Sequence, residues 1–250
     1  VSALAALTQR SVLGTLRDGD LIFAIGGPVA FFVCFNITLR HVVDIEATGA
    51  SSYPQYILPV IVVQAMIFTA MTTADRAARD NLSGMGIRLR SLPMTSLVPV
   101  TARMLSALIR ATASLAAAVA VGYAFGFRFQ GDVLHVLGFC GIALLLSLAL
   151  SLGADALGSV STNAEAAGQT LLIPQLLLVM LSTGIAPASA FPGWLGWFVT
   201  RQPVSQIAGT LRELAQGAVT TADLQLSLAW CAGLLALFGG IAVRLQRRAS

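Results

Sequence analysis

Three ionisable side chains stand deepest in long apolar runs: Arg103, Arg110 and Asp155. Arg103 and Arg110 are seven residues apart, so a helix puts them on nearly one face. Two kinds of chemistry fit. The three groups can form a gate or a salt-bridge latch. Alternatively, the arginines can snorkel to lipid phosphate while Asp155 lies near the cytoplasmic end of its helix. Their position near the ends of the runs favours snorkelling, and that is the expectation.

Other chemistry is poorly served. His41 and His135 lie at run ends, unpaired, and form no proton relay. Cys34, Cys140 and Cys231 sit in apolar runs without CxxC spacing or clustered His and acidic residues, so neither a metal site nor a disulfide framework is expected. They read as buried, inert thiols. No serine has a His partner placed by spacing, which argues against an intramembrane enzyme. No GxxxxGK[ST] phosphate loop occurs, so no nucleotide or other cofactor is expected in this chain.

Composition identifies the elements that must hold these groups. Hydrophobic residues make up 56% of the 250, charged residues 10%, and the mean hydropathy is +0.82. So little charge cannot cover a soluble surface, so the chain belongs to the membrane class. Crossing ~30 Å of hydrocarbon takes ~20 apolar residues. Six such spans are predicted, at about 21–39, 54–73, 100–125, 133–157, 169–185 and 224–243, within one all-α domain covering 1–250. Little remains for a soluble domain, so a catalytic domain such as an ATPase, if one is needed, is expected on another chain. No apolar run ending in a small-residue cleavage site opens the sequence, and no removable signal peptide is expected.

Details follow from local composition. Residues 1–20 read as an interfacial helix along the membrane. Gly26-Gly27-Pro28 predicts a kink near the start of the first span. Gly122 and Gly126 have the GxxxG spacing that lets helices approach. Residues 186–223 are too polar and too rich in Pro and Gly to cross, yet carry Phe191, Trp194, Trp197 and Phe198, which suit the headgroup region.

Charge sets the orientation. The net charge of +4 is carried by arginine, with no lysine. With both termini on one side, that side receives ten arginines and the other four, leaving out Arg110 within a span. The positive-inside rule then places both termini and the 75–99 loop in the cytoplasm of a cell-membrane protein. The basic pI of about 9.5 therefore concerns lipid headgroups, and no nucleic acid is expected.

Residues 80–94, DNLSGMGIRLRSLPM, form a short amphipathic stretch that ends at proline. It suits a lever docked on a cytoplasmic partner, or a solvated loop with a basic bias, and physics alone does not separate the two. The pattern Asp80-x3-Gly84-x3-Arg88-Leu89-x3-Pro93 resembles the ABC-2 family of ABC transporter permeases. Asp80 stands where Glu is commoner, shortening the carboxylate's reach. A second match is similar to the Pro-x-Trp, Asn/Gln-Pro and Leu-Arg…Gly series of that family: Pro192-Gly193-Trp194, Gln202-Pro203 and Leu211-Arg212 to Gly217. The wording, with Gly-Phe-Arg-Phe at 126–129, most resembles daunorubicin-resistance type permeases of actinobacteria, including mycobacterial relatives linked to lipid export.

The resemblance implies an exporter subunit for drug-like or lipid substrates, without its own ATPase site. Two ATPase subunits would bind ATP and Mg, and a second permease, identical or related, would complete the pore. It implies a coupling helix between spans 2 and 3, carried by Asp80, Gly84, Arg88, Leu89 and Pro93. It also implies an outer re-entrant segment between spans 5 and 6, carried by Pro192, Trp194, Pro203 and Arg212. Phe31, Phe35, Asn36, Gln64 and Gln175 are candidates to line a substrate cavity. For any one of these five, packing between helices is the better-supported reading. An ion-coupled secondary transporter and a non-transporting membrane scaffold are the alternatives, and no internal repeat favours the former.

Overall fold

The computed structural model describes residues 19–39, 52–84, 97–161 and 163–249. Eight α-helices occur among them: α1 (Asp20–Leu39), α2 (Tyr53–Leu82), α3 (Leu97–Ala124), α4 (Val133–Val160), α5 (Ala164–Met180), α6 (Gly193–Arg201), α7 (Pro203–Gln216) and α8 (Thr221–Ala249). No strand occurs among the described residues. Four helices contain stretches long and apolar enough to cross a membrane: Tyr53–Leu82, Val98–Ala124, Val133–Val160 and Thr221–Leu245. The apolar parts of α1 and α5, Ala24–Thr38 and Gly168–Met180, are shorter. The expected interfacial helix at 1–20 lies almost wholly outside the described residues.

α2 is the hub. It packs against α1, α3, α4, α5 and α7, and its side chains from Tyr53 to Met66 are nearly all buried. The helix starts behind Ser52 with Pro54 in its first turn, where a missing N–H costs nothing. It runs on to Leu82, well past the predicted end at 73. Charge after Thr73 ends the apolar stretch, but Ala74, Ala77 and Ala78 keep a small, buried face against α4, Ala74 and Ala78 packing with Ala154 and Ala77 with Gly158. Gly158 of α4 lies so close that a Cβ would collide with the Ala74 carbonyl oxygen. Burial against another helix sustains α2 where hydropathy alone would end it.

The fifth span also differs from expectation. The helix covers Ala164–Met180 instead of 169–185, and residues 181–186 are turns. Gly184 lies against Val60 of α2, where a Cβ would collide. The buried Gln202 amide donates to the carbonyls of Leu178 and Leu181, satisfying the end of the helix from outside.

Glycine pairs and cysteines need correcting too. Gly122 lets Leu58 of α2 approach α3, but Gly126, at φ +100°, lies beyond the helix end and contributes no helix contact. The Gly-Phe-Arg-Phe stretch forms an aromatic clasp in which Phe127 is buried and Phe129 stacks edge-on with Phe127 and Phe139, at 5.0 and 5.2 Å. Only Cys231 is buried; Cys34 is exposed on α1 and Cys140 half-buried. α1 passes through Pro28 as a continuous helix. α8 touches only α4 and α7 strongly and leaves Leu226, Leu228, Leu237 and Ile241 exposed, an apolar exterior suited to hydrocarbon.

Candidate functional site

The polar groups of the bundle gather at the two ends of α2. At the Asp80 end, α2 is tied to three other helices. Arg103 of α3 meets Asp155 of α4 in a two-point ion pair, Nε with Oδ1 and Nη2 with Oδ2, the latter at 3.0 Å. Asp80 is close enough to interact electrostatically with the same guanidinium. The snorkelling expectation for Arg103 is thereby overturned, since a carboxylate within reach replaces lipid phosphate, while Asp155 does lie in the last turns of its helix, as expected.

Arg110 departs further from snorkelling. It is 1% exposed, donating through Nη1 to Ser106 Oγ (3.0 Å) and through Nη2 to Thr73 Oγ1 (2.8 Å). Ser106 is one turn back on the same helix, and Thr73 is on α2, so the guanidinium binds α3 to α2 inside the bundle. Thr73 itself donates to the Thr69 carbonyl at 2.8 Å, which leaves its oxygen free to accept. Two residues on, Asp75 Oδ1 accepts the Gly168 N–H of α5 at 2.8 Å.

Gly84 terminates α2. The Ser83 and Gly84 N–H groups close onto the Arg79 and Asn81 carbonyls, and Gly84 takes φ +68°, a left-handed conformation that L side chains resist. The glycine of the expected coupling pattern thus has a backbone reason. Asp80 lies in the last turn before it. Arg88, Leu89 and Pro93 lie outside the described residues.

At the Tyr53 end, α2 is tied to α7 and to two connecting loops. Gln55 exchanges hydrogen bonds with the Arg128 backbone, donating to its carbonyl at 2.9 Å and accepting its N–H at 3.2 Å. The Tyr56 hydroxyl donates to the Thr183 carbonyl at 2.6 Å. Arg212 of α7 lies over the Tyr56 ring, 4.0 Å from its centroid, and donates to the Tyr56 carbonyl. Burial lowers the pKa of Arg212.

Of the residues expected in a re-entrant segment, Pro192 precedes α6 and Pro203 opens α7, both at helix starts. Trp194 is 82% exposed on α6, on the same helix as Trp197, over which Arg201 stacks at 5.6 Å. α7, by contrast, buries Val204, Ile207, Leu211 and Leu214 in the main core. A cavity of about 190 Å³ lies beside it, lined among others by Thr183, Ser205, Thr210, Glu213 and Asp223.

None of the five substrate candidates lines that cavity. Phe31 and Phe35 stack at 5.9 Å, with Phe68 of α2 6.1 Å from Phe31. Asn36, Gln64 and Gln175 are buried, and Asn36 Nδ2, Gln64 Oε1 and Gln175 Oε1 have no hydrogen-bond partner among the described residues. Sequence reasoning missed Tyr56, Thr73, Asp75 and Ser205, and met Gln202 only as part of the Gln-Pro motif, without its contacts. The distant partners named above lie 21 to 156 positions away, beyond any local spacing.

Comparison with known proteins identifies the family. Residues 2–214 match the family model described as ABC-2 type transporter. The doxorubicin resistance ABC transporter permease protein DrrB of Mycobacterium tuberculosis is 36% identical over 222 residues, covering 87% of this chain and 77% of the relative. The daunorubicin resistance ABC transporter permease protein DrrB1 of Streptomyces coeruleorubidus is 30% identical over 201 residues, 80% of this chain and 71% of the relative. The chain is a multi-pass membrane protein, and it belongs to the ABC-2 type transporter family.

Proposed function

We propose that the chain is the membrane subunit of an ATP-driven exporter of hydrophobic or amphipathic molecules, drug-like or lipid; the names of its relatives, doxorubicin and daunorubicin resistance permeases, support the drug-like reading. Two copies of a separate ABC ATPase subunit bind ATP and Mg, and a second permease, identical or related, completes the assembly. The chain has six spans in the cell membrane, with α1 and α5 as the short ones and both termini in the cytoplasm. The segment from Asp80 through Gly84, Arg88 and Leu89 to Pro93 is the cytoplasmic lever gripped by the ATPase. Residues 186–223, with Pro192, Trp194, Pro203 and Arg212, form the outer re-entrant segment. Phe31, Phe35, Asn36, Gln64 and Gln175 contribute to the substrate path.

The carrying observation is the junction at the Asp80 end. A lever must move more than one helix to change access between membrane halves. The last turns of α2 are linked to α3 through Thr73–Arg110, to α5 through Asp75–Gly168, and lie beside the Arg103–Asp155 pair that joins α3 to α4. Displacement at Asp80 therefore reaches four helices at once.

Affinity purification in mild detergent from native membranes tests the reading. An ABC ATPase should copurify, and Arg88→Glu should abolish its association or stimulated turnover while leaving membrane insertion intact. Normal association and turnover of that variant would remove the lever. Modification of a cysteine at position 88 from outside intact cells would overturn the orientation.

A further inference from the structure

α2 has one internal weak point. Pro59 lies within the helix, and its ring supplies no N–H to the Gln55 carbonyl one turn earlier. A proline ring in a helix generally strains the next bond too, the one onto the carbonyl three residues earlier, which here is that of Tyr56. In apolar surroundings such carbonyls are met by groups from neighbouring elements. Arg212 does this: Nε and Nη2 converge on the Tyr56 carbonyl at 3.3 and 3.2 Å, while the guanidinium covers the Tyr56 ring.

The position of this brace matters because the polar ties of α2 fall on either side of Pro59. Thr73, Asp75 and Asp80 lie on the lever side, and Gln55 and Tyr56 on the other. Along α2 itself, motion introduced at Asp80 passes the proline before it reaches the Tyr56 carbonyl, where α7 is bonded to this helix. A free joint there absorbs the motion as bending. A joint clamped by α7 itself transmits it.

We propose that Arg212 is a positioning residue that braces the Pro59 joint, so that displacement of the Asp80 end of α2 is delivered to α7. The inference rests on the lever reading and deepens it by naming the route across the membrane.

The test uses the full chain purified with its ATPase and reconstituted in vesicles, with doxorubicin as the probe. Arg212→Ala should leave ATP hydrolysis near wild type but lower doxorubicin moved per ATP by about tenfold, the scale of losing a hydrogen bond from a charged group. Hydrogen exchange of the 53–62 peptide should speed up by a similar factor. Adding Pro59→Ala restores the missing N–H, so the double variant should recover both exchange protection and transport. A merely structural arginine would not be rescued by changing a proline on another helix.

Unchanged exchange in Arg212→Ala, or no recovery in the double variant, overturns the brace. Faster exchange with undiminished transport per ATP overturns its role in transmission. If the wild-type assembly hydrolyses ATP but moves no doxorubicin, or has no ATPase, the exporter reading fails with that substrate or altogether, while the exchange measurement still decides the brace.

Discussion

Arg103 on α3 and Asp155 on α4 hold each other by two parallel contacts, with the carboxylate almost fully buried and the guanidinium 19% exposed. Removing the Asp155 charge leaves Arg103 desolvated with, among the described residues, only the Asp80 charge to offset it. Asp155→Asn should therefore destabilise the protein by about 2–3 kcal/mol, below the figure for a fully buried pair because Arg103 keeps some solvent contact. Exchanging the partners, Arg103→Asp with Asp155→Arg, should recover part of the loss. Thermal unfolding in detergent across this double-mutant cycle measures the coupling, and additive losses would dissolve the pair.

Thr73 is the α2 acceptor for the interior arginine. Thr73→Val preserves shape but removes the oxygen that accepts from Arg110 Nη2. The expected cost is about 1–3 kcal/mol, that of leaving a charged donor without its acceptor. The adjacent Thr72 is half-buried and donates only to its own helix, so Thr72→Val serves as control and should change stability by less than about 0.5 kcal/mol. Equal effects from the two would place Arg110 elsewhere.

Gly84 should resist even alanine. At φ +68° a Cβ is strained whatever the space around it, and space is open there. Gly84→Ala should cost about 1 kcal/mol locally and fray the last turn of α2 that carries Asp80. Its signature is reduced stimulation of the ATPase with little change in overall unfolding temperature. Wild-type stimulation would separate the αL turn from coupling.

Much of this architecture is legible in the sequence. Long apolar runs mark the helices, Pro54, Pro192 and Pro203 mark starts, and Gly84 and Gly217 mark ends in left-handed backbone. The fate of Arg110 is not legible in that way. Hydropathy treats a guanidinium as a group seeking water, and only Ser106, one turn away, hints at an internal partner; Thr73 is 37 positions distant. The extent of α2 is hidden for a related reason, since Ala74, Ala77 and Ala78 pack against a helix that begins some fifty residues later. The end of α5 is likewise decided from outside the helix, by Gln202 reaching back to its last carbonyls. Local pattern specifies elements; distant side chains specify where they stop and what they grip.

Glu213 makes stability depend on pH in a defined direction. Burial raises its carboxyl pKa above the ordinary value of 4.5, and the nearby charge of Asp223 raises it further, while the Thr220 N–H and Arg212 oppose the shift. The folded protein thus holds this proton more tightly than the unfolded chain. Between the ordinary glutamate value and the raised one, folding takes up protons, so stability falls as pH rises through that window and is fully present only below it. Above the window Glu213 is ionised at a net cost. Glu213→Gln removes the titration, so the variant should unfold at a temperature higher by about 1–2 °C at neutral pH, with the difference vanishing near pH 4. Asp223→Asn removes the repelling neighbour and should narrow the window from above. Unfolding curves for the three proteins from pH 4 to 8 check both expectations, and a difference that grows on acidification would reverse the sign assigned to Glu213.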